Sequence, residues 1–201
     1  MHKLLIIPLI LAFTSSLFAQ NTMDKSPERA NHWTYNFWGG HSFRSVKFLG
    51  KTGHTETTVF SYGFRRPLNR KIKSYTVYYT AGFTPFIEYY YPKRDLNDTM
   101  THTKGIGFYP VGFFIQKDAN HLLNPFYQVT GGMMLMEDFF PTSDARKLNF
   151  TFDITAGLDV NLLKNLTLSS GYKFHHISNA QTGKENPGVD SNFLFISLSI
   201  K

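Results

Sequence analysis

Residues 148–160 read LNFTFDITAGLDV. Leu148, Phe150, Phe152, Ile154, Ala156, Leu158 and Val160 form one row. Asn149, Thr151, Asp153, Thr155, Gly157 and Asp159 alternate with them. An apolar-to-polar period of two sustained this far is the mark of a strand with one wet and one apolar face. It is longer than most soluble strands and suits a tilted strand crossing a bilayer. Two aspartates in the polar row favour a hydrated or hydrogen-bonded barrel interior over a dry sandwich core.

The same rule extends outward along the chain. Leu166, Leu168, Tyr172 and Phe174 alternate with Thr167, Ser169, Gly171 and Lys173. Leu194, Ile196, Leu198 and Ile200 alternate with Phe195, Ser197, Ser199 and Lys201. Noisier alternation precedes these runs. Eight strands are expected near 33–46, 56–66, 73–89, 105–116, 125–136, 148–160, 165–178 and 190–201. Eight is the smallest common count for a closed membrane barrel. With both termini on the periplasmic side, 47–55, 89–105, 137–147 and 179–189 become outer loops. Gly39-Gly40, Pro110 and Gly131-Gly132 are expected to mark bends or bulges. The fold class read from this pattern is all-β: an eight-stranded antiparallel transmembrane β-barrel of the bacterial outer membrane.

Composition agrees. The 201 residues include 20 Phe, 11 Tyr and 2 Trp, as expected of a barrel with aromatic girdles at two interfaces. There is no cysteine, which excludes disulfides, Cys-zinc sites and thiol nucleophiles. Residues 1–19 have the basic start (Lys3), the apolar stretch Leu4 to Phe13 and the small residue Ala19 of a secretory signal peptide. Residues 20–31 form a short N-terminal tail, and 32–201 a single barrel domain. The formal net charge of +7 favours an anionic partner surface.

The closing segment, GYKFHHISNAQTGKENPGVDSNFLFISLSIK (171–201), breaks the apolar rule in a specific way. The register that aligns the apolar rows pairs Leu168 with Leu198, Tyr172 with Leu194 and His176 with Asp190. A one-residue slip would turn the apolar row into the lumen. His176, Ser178 and Asp190 then share the outward face, next to the outer loop. Directly opposed residues have Cβ atoms about 5 Å apart, and residues i and i+2 are neighbours on one face. Histidine can therefore reach serine on one side and aspartate on the other. His176 can take the Ser178 proton, and Asp190 can orient the imidazole and stabilise its cation. Backbone N–H groups after Ser178 and the amides of Asn179 and Asn186 are candidate oxyanion donors. A serine at outer-leaflet level meets lipid rather than soluble peptide.

These residues resemble the signature of the lipid A 3-O-deacylases (PagL-like), also catalogued as acyloxyacyl hydrolases. The shared pattern is H-x-S-N-A, five residues, N-P-G-x and an acid, spanning His176 to Asp190. The resemblance implies an eight-stranded outer-membrane barrel that removes a 3-linked acyl chain from lipid A. His176 would be the base, Ser178 the nucleophile and Asp190 the third member, where the family often has glutamate. Asn179 and Asn186 fall on asparagines of the family's active site. The implied partners are lipopolysaccharide and the outer membrane, with room for a homodimer and no role for nucleic acid. No cofactor or metal is expected. The competing reading is a non-catalytic small barrel that binds lipid or passes small apolar molecules.

The other candidates have plainer explanations. His175 alternates to the lumen, so the adjacent histidines point to opposite faces and make a poor metal pair. His54, His102 and His121 fall in expected loops or turns. Tyr89-Tyr90-Tyr91 reads as an interfacial belt. Asp153 and Asp159 are expected to hydrogen-bond across the lumen.

Overall fold

The computed structural model describes residues 33–117 and 123–201. The expected signal peptide (1–19), the tail (20–31) and His121 lie outside the described residues. Eight strands run in order: β1 Thr34–Ser42, β2 Glu56–Ile72, β3 Tyr75–Lys93, β4 Thr99–Lys117, β5 Leu123–Phe140, β6 Arg146–Leu163, β7 Leu166–Ser178 and β8 Val189–Ile200. Each pairs antiparallel with the next, and β1 closes on β8 from Tyr35↔Ile200 to His41↔Leu194. Closure leaves no sheet edge unpaired, which an apolar surround demands. The outward row of β6 (Leu148, Phe150, Ile154, Leu158) is exposed, whereas Thr151, Asp153, Thr155 and Asp159 are buried inside.

The β7–β8 register is the one the apolar rows require, unbroken from Leu166↔Ile200 through His176↔Asp190 to Ile177↔Val189. Pro110 marks a break in the β4–β5 ladder between Phe108 and Val111. Gly132 lies under that break, where a Cβ would stand 2.4 Å from the Phe108 carbonyl oxygen. Gly39-Gly40, by contrast, pairs without interruption on both sides.

Several strands run further than the alternation suggests. β2 continues through Pro67 to Ile72, beyond the strand end expected at 66. β3 and β4 continue through most of the expected outer loop 89–105, leaving a short 3-10 helix, Arg94–Leu96, near the tip. The reason is that aromatic and polar residues occupy both rows there, which hides the period of two. The interfacial-belt reading of the tyrosine run is thereby corrected. Tyr89 and Tyr91 are buried inside against Phe140, at ring-centroid distances of 4.7 and 4.9 Å. Tyr90 stacks on His102, which sits in β4 rather than in a loop.

Polar bonds cross the lumen at two levels. Asp153 receives Lys173 Nζ at 3.3 Å and Thr130 Oγ1 at 2.9 Å, and its other oxygen lies 2.6 Å from His175 Nδ1. His175 Nε2 meets the Tyr89 hydroxyl at 2.9 Å. Towards the periplasmic end, Asp159 accepts from Gln116 Nε2 at 2.8 Å and Arg65 at 3.4 Å. Both cations also lie over rings, Lys173 Nζ 4.5 Å from Trp38 and the Arg65 guanidinium 4.2 Å from Phe114. The two lumen cavities among these residues hold about 40 and 30 Å³, room for a few waters each.

At the outer end, Asp95 accepts the Ser143 N–H at 3.1 Å and ties the 94–98 turn to the 141–145 loop. Hydrogen bonding from Ser143 holds the Asp95 carboxyl below its ordinary value of 3.8. A lowered carboxylate stabilises the fold above its unfolded pKa and loses that contribution as pH falls through the lowered one. The tether is therefore complete at neutral pH and opens only in acid. In the interior, Asp153→Ala strands two buried bases. It should cost about 3 kcal/mol, read as a lower urea midpoint for the folded barrel in detergent; an unchanged midpoint would refute this role.

Candidate active site

The β7–β8 ladder sets His176 opposite Asp190, and Ser178 ends β7 two residues on, on the same face. His176 Nδ1 lies 2.6 Å from Asp190 Oδ1. That contact occupies Nδ1 and leaves Nε2 as the ring nitrogen for other chemistry. Gly188 packs against both β7 residues: a Cβ there would lie 3.1 Å from His176 Cε1 and 3.4 Å from Ser178 Cβ. Its φ of +63° favours glycine independently. Ring and serine thus both border Gly188, and among the described residues no hydrogen bond joins them.

Asp190 is not open to lipid, as a bare strand face would leave it; it is fully buried. The first outer loop, 43–55, folds down over the hairpin and covers it. The N–H groups of Phe48, Leu49 and Gly50 donate to Asp190 Oδ2 at 2.7, 2.7 and 2.9 Å. Consecutive amides converging on one oxygen form an anion nest, which compensates the charge without a side-chain cation. The loop is pinned alongside by Lys51 N–H to Pro187 O at 2.6 Å and Thr52 N–H to Gly188 O at 3.2 Å. Gly50 passes so near the hairpin that a Cβ would meet Gly188 C and Val189 N at 2.9 Å. Phe48 sets its ring against Phe174 at 5.9 Å, and Phe43, Val46, Phe48 and Leu49 leave the outer surface of the loop apolar.

The 179–188 segment is built around the two asparagines. The Asn179 N–H donates to Asn186 Oδ1 at 2.9 Å, and Asn179 Nδ2 donates to Glu185 O at 2.6 Å. Thr182 returns both its N–H and its hydroxyl to Asn179 O. Ala180 and Gln181 take left-handed backbone angles to make the turn. The Asn179 backbone N–H, a candidate oxyanion donor from sequence, is thus engaged within the loop. Asn186 has its oxygen fixed, which fixes the orientation of its amide nitrogen.

Among the described residues no group of three or more His, Cys, Asp or Glu could hold a metal. His175 faces the lumen, as alternation requires. The backbone amides of 48–50 and the glycine at 50 escaped sequence reasoning, in which Gly188 figures only as part of the N-P-G pattern. Backbone donors carry no residue signature, and Gly50 matters only through a contact between segments about 140 positions apart.

The family model described as lipid A 3-O-deacylase (PagL) matches residues 17–199. No curated protein matches the chain in sequence. Among solved structures, the chain is similar to the crystal structure of the outer membrane enzyme PagL, at 17% identity and a TM-score of 0.53. That match covers 83% of this chain and 98% of that one. It is also similar to Neisserial surface protein A (NspA), at 14% identity and a TM-score of 0.51, covering 84% of this chain and 96% of that one. These two likenesses bear on the fold, a closed eight-stranded barrel of the outer membrane. The family match covers nearly the whole chain, and the protein belongs to the lipid A 3-O-deacylase (PagL) family.

Proposed function

We propose that this protein hydrolyses the 3-O-linked acyl ester of lipid A by serine catalysis, with Ser178 as nucleophile, His176 as base and Asp190 as orienting carboxylate. The observation that carries the reading is the 2.6 Å His176–Asp190 contact, with Ser178 on the same face of β7. His176 Nε2 takes the Ser178 proton as Oγ attacks the ester carbonyl. Collapse of the tetrahedral intermediate expels the sugar 3-hydroxyl, which leaves with that proton. Water, deprotonated by His176, then attacks the acyl-serine and releases the fatty acid. The buried Asp190 stabilises the imidazolium in each half-reaction, and its own charge is compensated by the loop amides.

For the developing oxyanion, we assign the Asn186 amide nitrogen and the N–H groups of the 180–181 turn as donors, with Asn179 holding Asn186 in position. The apolar outer surface of loop 43–55, beside Phe174, suits the acyl chains of the substrate. All three triad residues come from one chain, so catalysis does not call for a second copy. A conduit for small apolar molecules is disfavoured by the ion pairs that cross the lumen.

Mass spectrometry of lipid A incubated with the refolded protein should show loss of one 3-linked hydroxyacyl chain. Ser178→Ala or His176→Ala should lower the rate by about 10⁴-fold or more. Lipid A left intact by the unmodified protein, or trimmed equally by Ser178→Ala, would sink the proposal. Gly50→Ala and Gly188→Ala each force backbone or ring apart near the triad. Each should cost on the order of 100-fold in kcat while the barrel keeps its heat-dependent gel mobility. Full activity in Gly50→Ala would mean that the amide nest is dispensable.

A further inference from the structure

Loop 43–55 has a second side. Away from Asp190 it walls a cavity of about 420 Å³ at the outer mouth, shared with the 94–98 turn and the 141–142 corner. Ligand pockets begin at roughly 300 Å³, so this cavity, unlike those in the lumen, can admit a sugar-sized group. Its lining carries Lys47, Lys51, Arg94 and His54 against a single carboxylate, Asp98. None of the three formal cations makes an ion pair among the described residues. Collecting like charges around one space is unfavourable unless an anion enters it.

A second observation is independent of charge. Thr142 lines the same cavity and is only 2% exposed, yet its hydroxyl has no hydrogen-bond partner among the described residues. Leaving a buried hydroxyl unpaired is unfavourable, and an oxygen-rich ligand in the cavity would pair it.

We infer that this cavity is a binding site for a phosphorylated sugar, with Lys47, Lys51 and Arg94 on the phosphoryl oxygens and Thr142 on a hydroxyl or phosphoryl oxygen. The inference deepens the deacylase reading, because the sugar phosphate closest at hand is the head group of the lipid being cleaved. The cavity lies one loop's thickness from the triad: Thr52, in its lining, is hydrogen-bonded to Gly188. Head-group binding would therefore hold in place the loop whose amides grip Asp190.

The test is an NMR titration of the full barrel in micelles, following the amides of Thr52, Gly53 and Thr142. The probes are N-acetylglucosamine 1-phosphate, N-acetylglucosamine and inorganic phosphate. The sugar phosphate should shift these amides saturably. The neutral sugar should not, and inorganic phosphate should bind more weakly. Lys47→Gln/Lys51→Gln/Arg94→Gln should weaken sugar-phosphate binding at least about tenfold, equivalent to about 1.4 kcal/mol. Absence of saturable shifts, binding unchanged in the triple variant, or inorganic phosphate binding as tightly as the sugar phosphate would overturn the assignment. A kinetic arm compares KM for lipid A with and without its phosphates. The unmodified protein should prefer the phosphorylated form and the triple variant should lose the preference; an equal preference in both proteins would count against the site. Failure of the deacylase reading would leave the kinetic arm without turnover but the binding arm intact.

Discussion

Asp190 is held from two directions, and the arrangement of the outer end follows from that. One carboxylate oxygen faces His176 across the β7–β8 ladder, and the other receives three backbone amides from loop 43–55. The first contact depends on strand register, since a slip of one residue would send His176 and Asp190 to opposite faces. The second depends on a loop from the far end of the sequence lying against the hairpin, which Gly50 and Gly188 permit by having no side chain. A buried carboxylate with its hydrogen bonds satisfied can keep its charge in a dry setting. That is the condition for it to support an imidazolium at the edge of a membrane.

The two ends of the molecule divide the work. The lumen is crossed by polar bonds that lock β2, β4, β5, β6 and β7 together through Asp153, Asp159 and their partners. Because His175 is anchored to Asp153 and Tyr89, the residue next to it in β7, His176, stands on a strand with little freedom to shift. The outer loops then dock on that rigid rim, with Arg146 Nε bonding Thr182 O at 3.0 Å and Glu185 N bonding Asp144 O at 3.2 Å. A site on strand ends supported by loops keeps its geometry while remaining within reach of the lipid surface.

The fold was largely legible in the sequence because the last three strands obey a strict period of two. That period fixes faces, and faces fix register. The pairing of His176 with Asp190 follows from the apolar rows alone, through Leu168, Tyr172 and their partners. Legibility fell where tyrosines and threonines fill both rows, as at Tyr89–Tyr91 and Thr101–Thr103. Strand ends and the lumen position of Tyr89 and Tyr91 were accordingly missed. The covering of Asp190 was not legible at all. It rests on main-chain amides of Phe48, Leu49 and Gly50, and any three residues would offer the same donors. The asparagines were found by motif, but the donation from the Asn179 N–H to Asn186 is a property of the folded turn.

The central claim is that Ser178 is made nucleophilic by His176 held on Asp190. It is tested most directly by reacting the folded barrel with a serine-directed fluorophosphonate and mapping the adduct by peptide mass. The account predicts one adduct, on Ser178, whose formation slows by orders of magnitude in His176→Ala. An adduct on a different serine, no adduct in folded protein, or equal labelling of Ser178 without His176 would contradict it.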